Sequence, residues 1–242
     1  MKGLTGYKRI ATPSPALLLA RLKITAFKLV VRTEISRINL ASYLYLHMSK
    51  FSLIRQLVTG ILDVTEEEWN AHEQALIQKN VKKGDYVLTA GDVCDHVSFV
   101  NLGCFRYYNM LNDEEVTTQL AFEGEYISDY KSFLTRTPAF DNIIALEDSE
   151  ILQLDYHSMQ QLYERYPVWQ KFGRLIAETI FIASTDRWQS LLLQSPEQRY
   201  LELMRKQPHI LNRVSLKYIA SFLGVAPESL SRIRKRISQM EI

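Results

Sequence analysis

The apolar residues of this chain change their spacing once, and that change constrains the fold more than any other feature. Between Val81 and Asp155 apolar and polar residues alternate, and turn residues recur about every eight to twelve positions, which is typical of short antiparallel strands. Strands are predicted at Tyr86–Thr89, Val97–Val100, Phe105–Tyr108, Val116–Phe122, Ile143–Leu146 and Ile151–Leu154. From His157 onward the spacing becomes helical. This order predicts an α+β chain whose strands form a barrel or a double-sheet jelly roll.

Helical segments with recognisable end signals lie on both sides of the strands. Residues 63–80 predict a helix in which Thr65 is the N-cap and three glutamates fill the first turn, where carboxylates suit the helix dipole. After the strands, the spacing predicts helices over Ser158–Arg165 and Trp169–Gln194. Within the strands, Asn112-Asp113 marks a hairpin turn.

The segment Trp169–Gln194 is apolar around much of its circumference. Its apolar residues are Phe172, Leu175, Ile176, Ile180, Phe181, Ile182, Trp188, Leu191, Leu192 and Leu193. A helix that is apolar on several faces is buried on several faces. One face can cover the strands, and the other predicts pairing with the same helix of a second copy, giving a homodimer. The alternative is a helix buried wholly within its own chain.

Charge is distributed unevenly along the chain. Residues 199–242 hold nine Lys/Arg and three acids, a net charge of +6, whereas residues 48–198 carry −11 and residues 1–47 carry +7. A basic C-terminal end predicts a polyanionic partner, most simply nucleic acid. The 47% hydrophobic and 23% charged residues are ordinary for a globular protein, and the 2 cysteines suit a reducing cytoplasm. No apolar run approaches the roughly 18 residues of a membrane span.

Residues 1–47 allow two interpretations. A basic amphipathic helix can be drawn near Leu17–Val31. The other interpretation is an upstream extension that is not part of the folded core, with the natural start at Met48.

The C-terminal stretch 215–237 has the pattern of a helix–turn–helix. Ser215 can cap a first helix, and Gly224 stands where that helix ends and a tight turn needs a residue comfortable at positive φ. Pro227 suits the first turn of a second helix, on which Leu230 and Ile233 begin a buried stripe.

The exposed face of this second helix carries side chains that can read DNA. Arg232 can hydrogen-bond guanine as a fork, Glu228 can accept from cytosine N4, and Ser229 can contact a base edge or a phosphate. These three residues are predicted to read bases. Phosphate contacts are predicted for Arg234, Lys235 and Arg236.

At this point the sequence resembles a known family, the Crp/Fnr transcription regulators. The resemblance rests on two motifs. One is KKGDYVLTAGDVCDHVSFVNLGCFRYY, with the spaced glycines Gly84, Gly91 and Gly103, and the other is the ending PESLSRIRKRI. Together with FEGEYISDYKSFLTRTP they are most similar to the group common in Bacteroidetes. The resemblance covers about Met48–Ile237. It implies an N-terminal cyclic-nucleotide-binding-like jelly roll, a long dimerisation helix and a C-terminal helix–turn–helix domain, and it places Glu228, Ser229 and Arg232 on base-contacting positions.

The resemblance also locates an effector pocket, and there the sequence departs from the family. The family's phosphate-binding cassette opens with Gly-Glu, where this chain has Ser128-Asp129, and it closes with an Arg, where this chain has Ala139 followed by Phe140. Arg136 is nearby but out of register, and acidic neighbours such as Glu123, Glu125 and Asp141 add negative charge. The candidate pocket residues are Glu125, Ser128, Asp129, Arg136, Ala139 and Phe140. We expect no binding of cyclic AMP or cyclic GMP. The β-wing that many relatives carry after the second helix is missing or comes from elsewhere.

Other chemistries find little support in the sequence. Cys94, His96 and Cys104 lie close together but lack a fourth metal ligand, so a metal site is not expected. No phosphate-binding loop, nucleophile elbow or zinc-protease motif occurs, and an enzyme is not expected.

The sequence therefore predicts a cytoplasmic, homodimeric, sequence-specific transcription regulator. Its expected partners are double-stranded DNA, a second copy and, as a further candidate, RNA polymerase, with an unknown effector, no cofactor and no membrane. The predicted domains are a sensor at 48–166, a dimerisation helix at 167–194 and a DNA-binding domain at 195–242. The alternative is a ligand-sensing or scaffold module whose basic C-terminal tail docks a protein or a membrane.

Overall fold

The computed structural model describes residues 50–240, and both interpretations of residues 1–47 lie outside this range. Its helices are α1 Ser52–Ile61, α2 Glu66–Ala75, α3 Tyr130–Thr135, α4 Tyr156–Arg165, α5 Pro167–Leu193, α6 Pro196–Lys206, α7 Ile210–Arg213, α8 Leu216–Phe222 and α9 Pro227–Met240. Its strands are β1 Ile77–Val81, β2 Tyr86–Leu88, β3 His96–Leu102, β4 Phe105–Leu111, β5 Glu114–Ala121, β6 Tyr126–Ile127, β7 Asn142–Ala145 and β8 Ser149–Asp155. None of the helices in this range is long and apolar enough to cross a membrane.

The strands form two antiparallel sheets of four strands each. One has the order β1-β8-β3-β6 and the other the order β2-β7-β4-β5. Alternate side chains of both sheets point into a shared core that includes Val100, Phe105, Ile143 and Ile151, all almost fully buried. The predicted α+β class with a double-sheet sensor fold and C-terminal helices is confirmed.

Two turns of the sandwich follow directly from local sequence. Asn112 and Asp113 both have positive φ, 50° and 62°, which is the backbone of the hairpin turn predicted between β4 and β5. Gly103 has φ +112°, and a Cβ there would lie 2.0 Å from Oγ of Ser149. This glycine is therefore required by its backbone angle and by the close approach of β8.

The prediction of one helix over 63–80 is wrong in its second half. Thr65 does cap the helix, in a reciprocal capping box with Glu68, but α2 ends at Ala75 and Ile77–Val81 pairs with β8 as an edge strand. All but the last residue of β1 are exposed, so the segment shows no inward-facing apolar alternation. The sequence analysis also lacks four further elements, α1, α3, α7 and β6. Of these, α3, α7 and β6 span only two to six residues, which carry little periodic signal.

The long helix α5 is buried only near its beginning. Its fully buried residues are Trp169, Phe172 and Leu175, which pack against α1, α2 and β3. Further along, Phe181 is 72% exposed, Trp188 63% and Leu193 80%. The second half of this helix thus presents large apolar side chains that residues 50–240 leave uncovered.

Candidate functional site

The C-terminal helices form the predicted helix–turn–helix. Ser215 caps α8 by accepting from the backbone N–H of Tyr218, and α8 ends before Gly224, which has φ +68°. The Gly224 and Val225 amides donate back to carbonyls of α8 and tighten the turn. Pro227 then opens α9, and buried Leu230 and Ile233 pack with α8 in one apolar cluster.

The outer face of α9 leaves its polar side chains free for a partner. Glu228, Arg232 and Lys235 are exposed, and at about 100° per residue they lie within one narrow sector of the helix. The contact that Arg232 makes is a hydrogen bond from Nη2 to Oγ of half-buried Ser229, 3.1 Å long. The structure therefore brings the three proposed base-reading residues together and adds Lys235 to their face.

The other two proposed phosphate contacts are arranged differently. Arg234 is half-buried and lies on the opposite side of α9, where it lines a groove with Tyr200 and Leu201 of α6 that Lys235 also borders. Arg236 forms an ion pair with Glu197 at the start of α6. Of the basic triplet, Lys235 is thus the residue most directly aligned with the reading face.

A charged cluster fastens the helix–turn–helix to the sensor sheet. The guanidinium of Arg213 donates to both carboxylate oxygens of Glu123, at 2.9 and 2.7 Å, and also to Glu147. Burial opposes the charge of Arg213, but the two carboxylates outweigh it and raise the pKa of the guanidinium above its ordinary value. Glu123, named in the sequence only as an acidic neighbour of the candidate pocket, has a side chain that is 5% exposed and is held by Arg213.

A second contact joins the same two parts. Arg106 on β4 is 2% exposed, pairs with Glu115 at 2.6 Å, and stacks over the ring of Tyr218 on α8 with 3.9 Å between Cζ and the ring centroid. Ser221 of α8 accepts from the backbone N–H of Thr117 on β5 at 2.8 Å. Sequence reasoning missed both contacts, because the partners lie about a hundred residues apart.

A cavity of about 420 Å³ opens between the two sheets of the sensor domain. Its lining includes the carboxylates Asp92 and Asp95, the imidazole of His96 and the hydroxyl of Ser128, and no lysine or arginine is among its lining residues within 50–240. Of the six predicted pocket residues, only Ser128 lines this space.

Asp129 is the N-cap of the short helix α3. One carboxylate oxygen accepts from the backbone N–H of Ser132 at 3.0 Å, inside the first turn of α3, and the other accepts from that of Phe140 at 2.8 Å. Backbone N–H groups at a helix start are the donors that bind anions. In this chain an internal carboxylate already uses them.

Arg136 is held away from a ligand-binding role by its own contacts. Its guanidinium pairs with Asp95, donates to the carbonyls of Cys94 and Phe133, and stacks over Tyr156 at 4.8 Å. Its backbone is left-handed, with φ 56°, at the end of α3.

The remaining predicted pocket residues point elsewhere. Ala139 is buried in the core, whereas the side chain of Phe140 is 70% exposed. Glu125 accepts from the N–H of Phe122 in the turn before β6 and lines a groove beside α5. Asp141 accepts from Oγ1 of Thr118, and burial raises the pKa of its carboxyl. Within residues 50–240 no cluster of three metal-ligating side chains occurs.

The fold defines a class, that of an antiparallel β-sandwich followed by a long helix and a C-terminal helix–turn–helix. Residues 78–166 match the family described as the cyclic nucleotide-binding domain, so the chain contains a domain of that family. No curated protein matches the chain significantly.

Solved structures with the same architecture are Crp/Fnr-type transcription regulators. The c-di-GMP responsive global regulator CLP of Xanthomonas campestris aligns with a TM-score of 0.59 and 16% identity, over 73% of this chain and 93% of its own. FixK2 from Bradyrhizobium japonicum aligns with a TM-score of 0.57 and 17% identity, over 69% of this chain and 86% of its own. A putative transcriptional regulator of the crp/fnr family from Eubacterium rectale aligns with a TM-score of 0.57 and 18% identity, over 74% of this chain and 85% of its own. These similarities confirm the predicted fold.

Proposed function

We propose that this chain is a cytoplasmic, homodimeric, sequence-specific DNA-binding transcription regulator whose sensor domain does not bind cyclic nucleotides. The observation that carries the proposal is the free outer face of α9, where Glu228, Arg232 and Lys235 are exposed together behind a glycine turn. A helix inserted in the major groove needs such a polar face, with an arginine able to fork onto guanine. The sensor domain at 48–166, the dimerisation helix at 167–194 and the DNA-binding domain at 195–242 are part of the proposal.

The exposed half of α5 supports a homodimer. Phe181, Trp188, Leu192 and Leu193 are all more than half exposed on one helix. A soluble monomer rarely leaves so much contiguous apolar surface uncovered. Pairing with the same helix of a second copy around a twofold axis buries it and presents two α9 helices to DNA.

The contacts of Asp129 support a sensor that rejects cyclic phosphates. A phosphate taken out of water needs cations or several N–H donors to replace its hydration. The carboxylate of Asp129 occupies the N–H groups of Ser132 and Phe140, and Arg136 is committed to Asp95. The neighbouring cavity, with Asp92 and Asp95 in its lining, suits a neutral or cationic small molecule better than an anion.

Genome-wide capture of DNA bound by the tagged protein tests this function. The expected result is enrichment of a near-palindrome with half-sites about 34–36 Å apart, one turn of DNA. Recovery of DNA without any shared sequence would overturn the proposal and favour a sensor or scaffold module whose basic tail docks a protein or membrane.

A further inference from the structure

The C-terminal end of α8 is held by a buried arginine of the neighbouring helix. Arg199 of α6 is 8% exposed. Its Nε donates to the carbonyl of Leu223 at 3.0 Å, and its Nη1 donates at 2.6 Å to the carbonyl of Gln194, the C-cap residue that follows α5. One guanidinium therefore joins the end of the long helix to the end of the first helix of the helix–turn–helix.

A second arginine reaches the same end of α8 from the long helix itself. Arg187 of α5 donates from Nη2 to the carbonyl of Phe222 and stacks on the ring of that residue, with 3.8 Å between Cζ and the ring centroid. Burial, together with the nearby charge of Arg199, lowers the pKa of Arg187 to about 10. The two guanidinium groups are thus held close to one another although their charges repel.

The partners of these arginines explain why they are tolerated there. The last carbonyls of a helix lack partners within the helix and carry the negative end of its dipole. Within residues 50–240 neither Arg187 nor Arg199 forms an ion pair with a carboxylate, so consecutive carbonyls at Phe222 and Leu223 are the acceptors that receive them. Gly224 completes the junction, since a Cβ there would contact Leu191 of α5 at 3.5 Å.

We propose that Arg187 and Arg199 are positioning residues that fix the helix–turn–helix relative to the long helix and thereby set the distance between the two recognition helices of the dimer. This inference rests on the proposed function. In a dimer paired through α5, any rotation of α8 about the end of that helix changes where both α9 helices meet the DNA. Two arginines that tie the α8 carbonyls to α5 and to its C-terminal end restrict that rotation.

The test compares Arg187→Gln and Arg199→Gln with Arg205→Gln, a control that removes an exposed arginine from the same helix α6. Each full-length protein is titrated with DNA in which the captured half-sites are separated by zero to four additional base pairs and, in parallel, with DNA carrying one half-site. Wild type and control should prefer one spacing sharply. Each of the two clamp variants, Arg187→Gln and Arg199→Gln, should bind DNA of that spacing about tenfold more weakly, because one charge-assisted hydrogen bond stabilises the docked position of α8 by about that factor. Binding to the single half-site should change little.

Hydrogen exchange of the turn amides gives a readout that does not depend on DNA. In the clamp variants the amides of Gly224 and Val225 should exchange at least several-fold faster, while the amides of the sensor sheets stay unchanged. If a glutamine variant fails to fold, Arg187→Lys and Arg199→Lys keep the charge but lose the fork geometry, and the same loss of spacing preference is expected.

The outcomes separate this inference from the proposed function. A folded, dimeric clamp variant with wild-type spacing preference and wild-type exchange at the turn would overturn the positioning role. If the wild-type chain selects no DNA sequence, the proposed function fails. Hydrogen exchange at the amides of Gly224 and Val225 then decides by itself whether the two arginines hold α8.

Discussion

Removing the guanidinium of Arg232 should weaken operator binding and change its sequence preference. Arg232 is exposed and bonds to Ser229 within its own chain, so Arg232→Ala should change the free energy of unfolding by less than about 0.5 kcal/mol. A bidentate contact to guanine discriminates by about 1–3 kcal/mol. With one such contact in each half-site of a palindrome, the dimer should lose about 2–6 kcal/mol of binding free energy.

Fluorescence anisotropy at fixed salt, with operators carrying each of the four base pairs at every position, measures this effect. Arg232→Ala should become indifferent at one base pair in each half-site. The matched variant Arg236→Ala should weaken all operators alike and reduce the salt dependence by about one phosphate contact. An Arg232→Ala protein that keeps every base preference of the wild type would show that α9 is not the reading helix as described.

Further predictions concern assembly, ligand, pH and domain docking. Light scattering at micromolar concentration should show a dimer, formed through the exposed half of α5 at Phe181–Leu193 rather than through buried Phe172, and a monomer with the helix intact would count against the proposal. Titration calorimetry should detect no binding of cyclic AMP or cyclic GMP. A micromolar dissociation constant that Arg136→Ala abolishes would instead show that Arg136 takes the place of the missing cassette arginine. Burial lowers the pKa of His72 from 6.5 to about 4. The stability linked to this neutral imidazole is therefore complete above pH 6.5 and declines by up to about 3 kcal/mol as the pH falls towards 4, and urea unfolding of His72→Gln should lack that decline. Arg213→Ala leaves the buried Glu123 carboxylate without its cation and should lower the free energy of unfolding by about 2–4 kcal/mol. A double-mutant cycle that removes Arg213 and Glu123 should show coupling, and single losses that simply add would contradict this.

Local signals made the helix–turn–helix predictable. Ser215, Gly224 and Pro227 each act within a few residues of their own position, as a cap, a left-handed turn and a helix start. The hairpin at Asn112-Asp113 was predictable for the same reason. Such residues fix the backbone whatever surrounds them, so the sequence alone located the turn and the exposed face of α9.

Contacts between distant segments were not predictable. The sequence shows Glu123 only as an acid near the cassette, because its partner Arg213 lies 90 residues further on. The sequence predicts Asp129 as a pocket residue, but it does not show that the carboxylate accepts from the backbone N–H groups of Ser132 and Phe140, which come together only in the folded chain. The strand Ile77–Val81 could not be predicted, because an exposed edge strand carries no alternation of apolar and polar residues.

The hydroxyl of Ser221 has a consequence for how the sensor domain stays soluble. Strand β5 lies at the edge of its sheet, and an edge strand offers unpaired backbone groups to any other chain. Ser221 accepts from the N–H of Thr117, and α8 covers Leu120 and Phe122 beside it. The helix–turn–helix thus shields this edge against sheet-to-sheet aggregation, and a β-sandwich released from it by proteolysis would expose a strand ready to pair with its own copies.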